Sequence, residues 1–383
     1  MWYKCADHEK DIYLDTVQLI NKYNYPSETH VVMTEDSYML NTFRIPGEGP
    51  PVLLVHGISD SSDSWLVLGP ECSLAFLLAD AGFDVWLFNA RGNRYCKTNV
   101  KGVSKKTFWD FSFEEIGMYD VPANIDYILN KTGRPTLSYI GFSQGTTTFL
   151  TACSLRPEFN RKINYAILLA PVAWLNNAEN PLLNFYALNF NNLKELSRSA
   201  KLYEVFAYDR NIGYFVSAVC NNSSRLKVLC NLFLYLSFGL KNLSALSQDR
   251  LPVITSHIPA GATAKAFFHF LQMYVNKRFE RYDYGPELNR IRYSANKPPE
   301  YDLSQITVPI ALFISDADWF SSVKDATNLR KKINSIDKFI VINRTLEFTH
   351  LEFVYGSRVN SIINKPVIEI LTRLKLDHRL DSY

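Results

Sequence analysis

Long apolar runs and strong charge are both missing from this sequence of 383 residues. No window approaches the roughly 18 uninterrupted apolar residues that a membrane-spanning helix needs. Residues 232–240 form one of the longest apolar stretches and are far too few. The net charge is only +3, without a basic block or stripe, which argues against nucleic acid as a partner. We therefore expect a soluble protein that at most lies on a membrane surface.

Cysteine motifs typical of metal-binding or redox sites are also missing, because none of the six cysteines forms a C-x-x-C pair. Cys220 and Cys230 are the only close pair, and their spacing allows a small loop to be closed; the others are Cys5, Cys72, Cys96 and Cys153. The first ten residues, MWYKCADHEK, are too charged for a signal peptide, which predicts a cytosolic start. Five N-x-S/T triplets point instead to the secretory pathway, and they begin at Asn130, Asn221, Asn222, Asn242 and Asn343. Several such triplets arise by chance in a chain this long, so these residues leave the compartment open.

Strand-like and helix-like segments alternate through the first part of the chain. Residues 30–33 and 38–45 flank a polar turn and predict an antiparallel hairpin. Further strands follow at residues 52–55, 85–88, 136–142 and 165–169, with helices at 74–81, 113–129 and 144–155. Continuously apolar strands separated by helices predict an α/β fold with a mostly parallel central sheet that is covered on both faces.

The alternation stops between about residues 175 and 303. This stretch is rich in Phe, Tyr, Leu and Asn, and its amphipathic pieces at 226–240 and 264–274 lie between Pro and Gly punctuation typical of a helical insertion. The α/β rhythm resumes with segments at 309–314, 326–333, 339–342 and 359–374. We therefore predict a first core part at residues 1–174, a helical cap or lid at 175–303 and a second core part at 304–383.

Residues 139–145, YIGFSQG, place Ser143 in a G-x-S-x-G pattern. The pattern alone is weak, since chance matches occur in roughly one sequence in twenty of this length. Its context is more specific, because an apolar strand precedes Ser143 and a helical segment follows it. Such a corner predicts a nucleophile elbow, whose glycines give the sharp turn room and leave the serine hydroxyl exposed at the sheet edge. Ser138 and Ser154 have no such setting.

A serine nucleophile needs an imidazole to accept its proton and a carboxylate to orient that imidazole. His350 lies in a loop after the strand that ends near residue 342, and Asp318 follows the strand at 310–314. The chain order Ser, Asp, His is the order that an α/β-hydrolase sheet requires. This order favours a catalytic His350 over an ordinary loop histidine. Asp316 is a rival for the acid, two residues away on the same turn.

The loop after the strand at 52–55 begins with His56 and Gly57. His56 is the only other histidine that directly follows an apolar strand, and we interpret it as structural, with its ring bonded to nearby loop backbone. The loop offers the backbone N–H of Ile58. Together with the N–H of Gln144, it would form an oxyanion hole, in which each donor contributes roughly a few kcal/mol.

Eight ordered motifs extend the pattern over nearly the whole chain. They are YPSETHVVMTEDSYMLNTFRIP, LLVHGISDSSDSW, DVWLFNARGN, FSFEEIGMYDVPANIDYIL, GFSQGTTTFL, AILLAPVA, IPAGATAKAFFHFLQ and HLEFVYG. Through them the sequence resembles the acid lipase family of α/β-hydrolases, which includes the gastric and lysosomal lipases. The resemblance implies roles for the nucleophile Ser143, the base His350, the acid Asp318 in preference to Asp316, and the oxyanion donors Ile58 and Gln144. It also implies hydrolysis of neutral lipid esters, acylglycerols or cholesteryl esters, with no metal or diffusible cofactor.

Three features qualify the resemblance. The family usually has His before the nucleophile, where this chain has Phe142. Family members normally carry a signal peptide and enter the secretory pathway, so the resemblance implies an extracellular or lysosomal location. The charged N-terminus, in which no signal peptide is visible, supports a cytosolic location as the alternative. Cys220 and Cys230 resemble the family's cap disulfide, and we hypothesise that they pair.

The predicted cap would hide an apolar acyl-binding groove from water and uncover it at a lipid–water interface. Residues 232–238, LFLYLSF, are candidate acyl or interface contacts, although burial within the cap is the favoured interpretation. His257 and His269 are interpreted as structural. The alternative to a lipase is a non-catalytic lipid carrier or storage protein on the same fold. Such a carrier would need neither the triad nor the oxyanion hole.

Overall fold

One nine-stranded sheet forms the centre of the protein in a computed structural model, which describes residues 8–221 and 223–380. Its strands are β1 (Glu28–Met33), β2 (Tyr38–Ile45), β3 (Pro51–Val55), β4 (Asp84–Leu87), β5 (Thr98–Asn99), β6 (Leu137–Phe142), β7 (Ile163–Leu169), β10 (Ile310–Ser315) and β11 (Ile336–Ile342). The short strands β8 (Glu204–Val205) and β9 (Ala262–Thr263) form a separate antiparallel pair. Cys5 and Asn222 lie outside the described residues.

The strand order is β1-β2-β4-β3-β6-β7-β10-β11, with β5 paired to β2. The β1–β2 hairpin is antiparallel, as the sequence predicts, and β4 through β11 in this order pair in parallel. Neighbouring residues of a strand point to opposite faces, so Val52 and Leu54 enter one core cluster while Leu53 and Val55 enter the other. Both faces are thus buried, which confirms the predicted α/β fold and explains why these strands are apolar throughout.

Sixteen α-helical segments cover the two faces and fill the long connections of the described chain. They are α1 (Thr16–Lys22), α2 (Leu74–Asp80), α3 (Lys105–Phe108), α4 (Phe113–Glu115), α5 (Val121–Thr132), α6 (Gln144–Leu155), α7 (Pro181–Leu188), α8 (Phe190–Ser199), α9 (Arg210–Cys220), α10 (Lys227–Phe238), α11 (Leu251–His257), α12 (Ala264–Asn276), α13 (Pro286–Tyr293), α14 (Val323–Lys332), α15 (Glu352–Tyr355) and α16 (Lys365–Leu380). The predicted helix at 113–129 contains a π-helical turn, Ile116–Asp120.

Helices α7 to α13 connect two strands that lie side by side, since Ile310 of β10 is in register with Ala166 of β7. The chain therefore leaves the sheet after β7, builds a helical layer, and returns to the neighbouring position. This agrees with an inserted helical segment, while the exact division at residues 174 and 303 stays a prediction. Cys220 and Cys230 form a disulfide between α9 and α10, as hypothesised.

The interpretation of residues 232–238 as buried in the cap is wrong for most of this segment. Leu232, Phe233, Tyr235 and Leu236 of α10 are 40 to 61% exposed, and Leu234 is the one buried leucine of this run. Hydrophobic composition predicts that side chains are buried, but it does not show which element packs against them. Among the described residues, no element packs on the outer face of α10. No helix in residues 8–221 and 223–380 is long and apolar enough to cross a membrane.

Candidate active site

Ser143 occupies the sharp corner between β6 and α6. Its backbone has φ 52° and ψ −116°, a region that residues with a side chain rarely adopt. The Ser143 N–H donates to the carbonyl of Leu169 on the neighbouring strand β7, 3.0 Å away. This bond holds the corner to the edge of the sheet, so Ser143 has the strained geometry of a nucleophile elbow.

The two glycines of the pattern are required by close packing. A Cβ at Gly145 would lie 2.3 Å from the carbonyl oxygen of Val55, at the end of β3. A Cβ at Gly141 would lie 2.7 Å from the backbone of Gly145 itself. Any larger residue at either position would push α6 away from the sheet, which explains the pattern in physical terms.

Three side chains that are distant in sequence meet beside this corner. Nε2 of His350 lies 2.8 Å from Oγ of Ser143, and Nδ1 of His350 lies 2.7 Å from Oδ2 of Asp318. A carboxylate only accepts hydrogen bonds, so Nδ1 carries the proton and Nε2 accepts from the serine hydroxyl. Ser143, His350 and Asp318 are 4 to 8% exposed. They follow β6, β11 and β10, whose carboxyl ends lie at the same edge because the strands are parallel.

Asp318 is held in place by the backbone of its own loop. Its Oδ1 accepts from the N–H of Phe320 at 2.8 Å and from the N–H of Ser321 at 3.2 Å, which leaves Oδ2 directed at the imidazole. The rival Asp316 has an exposed side chain, and its N–H pairs with the carbonyl of Ile342. The structure thus brings Asp318, and not Asp316, to His350.

Two phenylalanines flank the imidazole. The ring centroids of Phe142 and Phe320 each lie 5.2 Å from that of His350. Phe142, the residue before the serine, fills the space beside the imidazole with an apolar ring that is 3% exposed. Sequence reasoning missed Phe320, because only packing shows that this loop residue turns toward the histidine.

The backbone N–H groups of Ile58 and Gln144 lie on the two segments that adjoin Ser143. Gln144 begins α6, where the first N–H groups of a helix have no partner within the helix. A Cβ on Gly57, the residue before Ile58, would lie 3.4 Å from Cβ of Ser143. Among the backbone hydrogen bonds of residues 8–221 and 223–380, neither N–H donates to a carbonyl. Both groups are therefore available to an oxygen atom bound at the serine.

His56 has a structural setting, in agreement with its interpretation from the sequence. Its Nε2 accepts from the N–H of Ala90 at 3.1 Å, so Nδ1 carries the proton and donates to the carbonyl of Gly57 at 2.7 Å. Burial lowers the pKa of His56 to about 4. The neutral ring ties the loop after β3 to the chain that follows β4.

The other two histidines interpreted as structural are also buried and bonded. His257 contacts Asp63 and the carbonyl of Asp11, while His269 contacts Ser112 and the carbonyl of Glu280. Neither bonds to the serine, the acid or the base of the site. Within the described residues, no group of three or more His, Cys, Asp or Glu side chains is arranged to hold a metal ion.

Comparison with known proteins shows the family to which this chain belongs. Residues 50–353 match the family model described as alpha/beta hydrolase fold, and residues 16–69 match the partial alpha/beta-hydrolase lipase region. Lipase 1 of Drosophila melanogaster is 37% identical over 372 residues, which are 96% of this chain and 81% of the relative. The chain belongs to the acid lipase family of α/β-hydrolases. As a member of that family, it is a carboxylic ester hydrolase.

Two human members of the family are also similar over most of their length. Human gastric triacylglycerol lipase is 32% identical, over 95% of this chain and 92% of the relative. Human lysosomal acid lipase/cholesteryl ester hydrolase is 34% identical, over 90% and 87%. Among solved structures, a putative lipase from Acinetobacter baumannii has a TM-score of 0.53 at 14% identity and covers 99% of both chains. At that identity the likeness shows the fold alone.

Proposed function

We propose that this protein is a serine lipase that hydrolyses neutral lipid esters, acylglycerols or cholesteryl esters, through an acyl-enzyme on Ser143. The observation that carries the proposal is the continuous hydrogen-bonded chain from Ser143 through His350 to Asp318. A lipid carrier on the same fold would have no use for such a chain, nor for an elbow that holds the serine at a strained φ of 52°.

In the proposed reaction, Oγ of Ser143 attacks the carbonyl carbon of the ester and its proton passes to Nε2 of His350. Asp318 stabilises the imidazolium that forms. The N–H groups of Ile58 and Gln144 donate to the oxygen that becomes negative. When the carbon–oxygen bond of the alcohol breaks, Nε2 returns the proton to the departing alcohol. A water molecule then attacks the acyl carbonyl and gives a proton to Nε2. As the bond between the acyl carbon and Oγ breaks, Nε2 returns this proton to Oγ of Ser143 and the fatty acid is released.

The lipid character of the substrate is supported by two features. The relatives include a gastric triacylglycerol lipase and a lysosomal cholesteryl ester hydrolase. In addition, α9 and α10 expose a set of large apolar side chains, each at least half exposed, namely Ile212, Phe215, Val228, Leu229, Leu232 and Phe233. Soluble proteins rarely leave such a surface uncovered without a binding role. We assign this outer surface of the cap to contact with the lipid–water interface.

We further propose that residues 175–303 form a cap that must move before substrate enters. Ser143 is only 8% exposed, which is too little for a bulky ester to reach its hydroxyl. The end of α10 packs on the loop of the acid, with Tyr235 against Trp319 and Phe238 against Phe320. Displacing α10 would uncover that loop and the histidine beside it.

We propose that the protein passes through the secretory pathway. The Cys220–Cys230 disulfide is typical of proteins that fold in an oxidising compartment. Among the glycosylation triplets, Asn130, Asn242 and Asn343 have exposed side chains, as a glycan requires. The related gastric and lysosomal lipases agree with an extracellular or lysosomal destination.

Hydrolysis of a graded set of lipids tests the proposal. Purified protein is assayed on triglycerides and cholesteryl esters of increasing chain length, at acidic and at neutral pH, alongside Ser143→Ala. We expect release of fatty acid from long-chain esters by the parent protein and a loss of at least about a thousandfold in the variant. Tight binding of the same lipids without release by the parent protein would identify a carrier instead.

A further inference from the structure

Several hydrogen bonds attach the loop that carries Ile58 to the rest of the protein. The N–H of Ser62 donates to Oδ1 of Asn89 at 3.0 Å, Nδ2 of Asn93 donates to the carbonyl of Asp60 at 3.5 Å, and three further bonds lie on the same loop. His56 is bonded to the N–H of Ala90, as described above. The carbonyl of Ser59 accepts from the N–H of Ala260, 2.7 Å away. The carboxylate of Asp60 accepts from the hydroxyl of Tyr355 at 2.6 Å.

Among these attachments, the Asp60–Tyr355 bond is the one that leads to the catalytic base. Tyr355 is the last residue of α15 and lies five positions after His350, which comes just before that helix. The segment between them is internally braced, since the N–H of Thr349 donates to the Glu352 carboxylate at 2.6 Å and the N–H of Tyr355 to the carbonyl of Leu351 at 2.9 Å. The Asp60–Tyr355 bond therefore joins a rigid piece that holds the base to the loop that holds the oxyanion donor.

We propose that Asp60 and Tyr355 are positioning residues, whose hydrogen bond sets the placement of the Ile58 N–H relative to His350. The inference rests on the proposed serine mechanism and assigns to that mechanism two residues outside the triad and the oxyanion hole. Transition-state stabilisation depends on donors that are already in place, and a misplacement of about 1 Å can cost a hundredfold in rate.

The Asp60–Tyr355 bond is buried and has few neighbouring donors. Asp60 is 4% exposed and Tyr355 is 1% exposed. Within the described chain, the carboxylate has two hydrogen-bond donors, the Tyr355 hydroxyl and the Ser61 N–H at 2.8 Å, and no salt bridge. Asp63 and His257, which interact electrostatically with Asp60, are hydrogen-bonded to each other at 2.9 Å. Removing the hydroxyl leaves a buried carboxylate oxygen without a partner, which drives the loop to rearrange.

Tyr355→Phe is the first test, because it deletes only the hydroxyl. We expect kcat on a soluble short-chain ester to fall about 10- to 100-fold with KM nearly unchanged, the pattern of an interaction that acts in the transition state. Tyr165→Phe is a matched control. The Tyr165 hydroxyl also donates to a carboxylate, Oδ2 of Asp337 at 2.5 Å, and its ring is 4% exposed, but it lies near the start of β7, away from the site.

Asp60→Asn and Asp60→Ala separate positioning from stability. A tyrosine hydroxyl can accept as well as donate, so the amide of Asn can serve both Tyr355 and the Ser61 N–H, whereas Ala can serve neither. We expect Asn to retain most of kcat and Ala to lose about as much as Tyr355→Phe. If Tyr355→Phe does not fold, the Asn and Ala variants provide the same comparison. Equal kcat in those two variants would overturn the inference.

The closing measurement is the rate of labelling by a fluorophosphonate probe, which requires an activated serine and an oxyanion hole. We expect wild type and Tyr165→Phe to label at equal rates and Tyr355→Phe at least about tenfold more slowly, even where both variants lose the same thermal stability. Labelling of Tyr355→Phe at the rate of Tyr165→Phe would overturn the positioning role alone. Wild-type protein that does not label at Ser143 would contradict the proposed function, and the inference with it.

Discussion

Nε2 of His350 and Oγ of Ser143 lie 2.8 Å apart, although 207 positions separate the two residues in the chain. Parallel strands explain the meeting, since β6, β10 and β11 all deliver their following loops to one edge of the sheet. The helical insertion between β7 and β10 leaves this edge intact, because the chain returns to the position beside the strand it left.

The identity of the acid is testable through two neighbouring carboxylates. Asp318→Asn removes the charge that orients and stabilises the imidazole, and we expect kcat for ester hydrolysis to fall about 10³- to 10⁴-fold. Asp316→Asn, two residues away and exposed, is the matched control and should stay within about twofold of wild type. Steady-state rates at saturating substrate measure both variants. A larger loss for Asp316→Asn would reverse the assignment.

The exposed apolar surface of α10 predicts that its substitution lowers the rate of hydrolysis of emulsified substrate but not of soluble substrate. Replacing Leu229 and Phe233 by Ser removes two side chains that are 56 and 61% exposed. Burying each in a lipid surface would contribute about 1.5 to 3 kcal/mol, so we expect at least a tenfold loss on emulsified long-chain triglyceride. The rate on a dissolved short-chain ester should stay unchanged. Val31→Ser, at a 49% exposed position on β1, is the control for apolar exposure as such. Equal losses on both substrates would show that the α10 surface does not bind lipid.

The Cys220–Cys230 disulfide predicts a stability effect confined to the insertion. The bond closes a loop of sequence separation 10, for which the lost freedom of the unfolded chain corresponds to about 3 kcal/mol. We expect the Cys220→Ser, Cys230→Ser double variant to become sensitive to proteolysis between α9 and α10 while the sheet resists. Limited proteolysis with mass mapping measures this directly. Unchanged cleavage sites and rates would show that the disulfide does not hold these helices together.

Asp60 predicts a dependence of stability on pH. Burial raises its pKa from 3.8 to about 7, against the hydrogen bonds from Tyr355 and the Ser61 N–H. Between these values the folded protein keeps a proton that the unfolded chain has lost, so this contribution is greatest below about pH 4 and disappears as the pH rises to about 7. In Asp60→Asn the free energy of unfolding should therefore decline less between pH 4.5 and 7.5, by on the order of 3 kcal/mol.

Urea unfolding at a series of pH values measures that difference. Other buried groups also change the free energy of unfolding over this pH range, and they contribute equally in wild type and in Asp60→Asn. Burial raises the pKa of Asp120 to about 6, which adds to the same trend, and lowers the pKa of His269 to about 3, which opposes it because stability is lost as the pH falls below about 6.5. Parallel curves for wild type and Asp60→Asn would contradict the prediction.

Local patterns were sufficient to predict the elbow and the strands, because a continuously apolar strand followed by a helix is encoded within about twenty residues. Strand order then brought Asp318 and His350 to the same edge. Other features depend on packing between distant parts of the chain. Asp60 and Tyr355 are 295 positions apart, and neither residue type signals the contact. The exposure of Leu232, Phe233, Tyr235 and Leu236 likewise depends on what lies over α10, which hydrophobicity alone does not show.

The most direct test of the account is mass-spectrometric mapping of the protein after reaction with a fluorophosphonate. The account predicts one covalent adduct per chain, located on Ser143, formed rapidly by wild type and lost in both Ser143→Ala and His350→Ala. Rapid labelling of another serine, or labelling of Ser143 that does not depend on His350, would contradict the proposed triad.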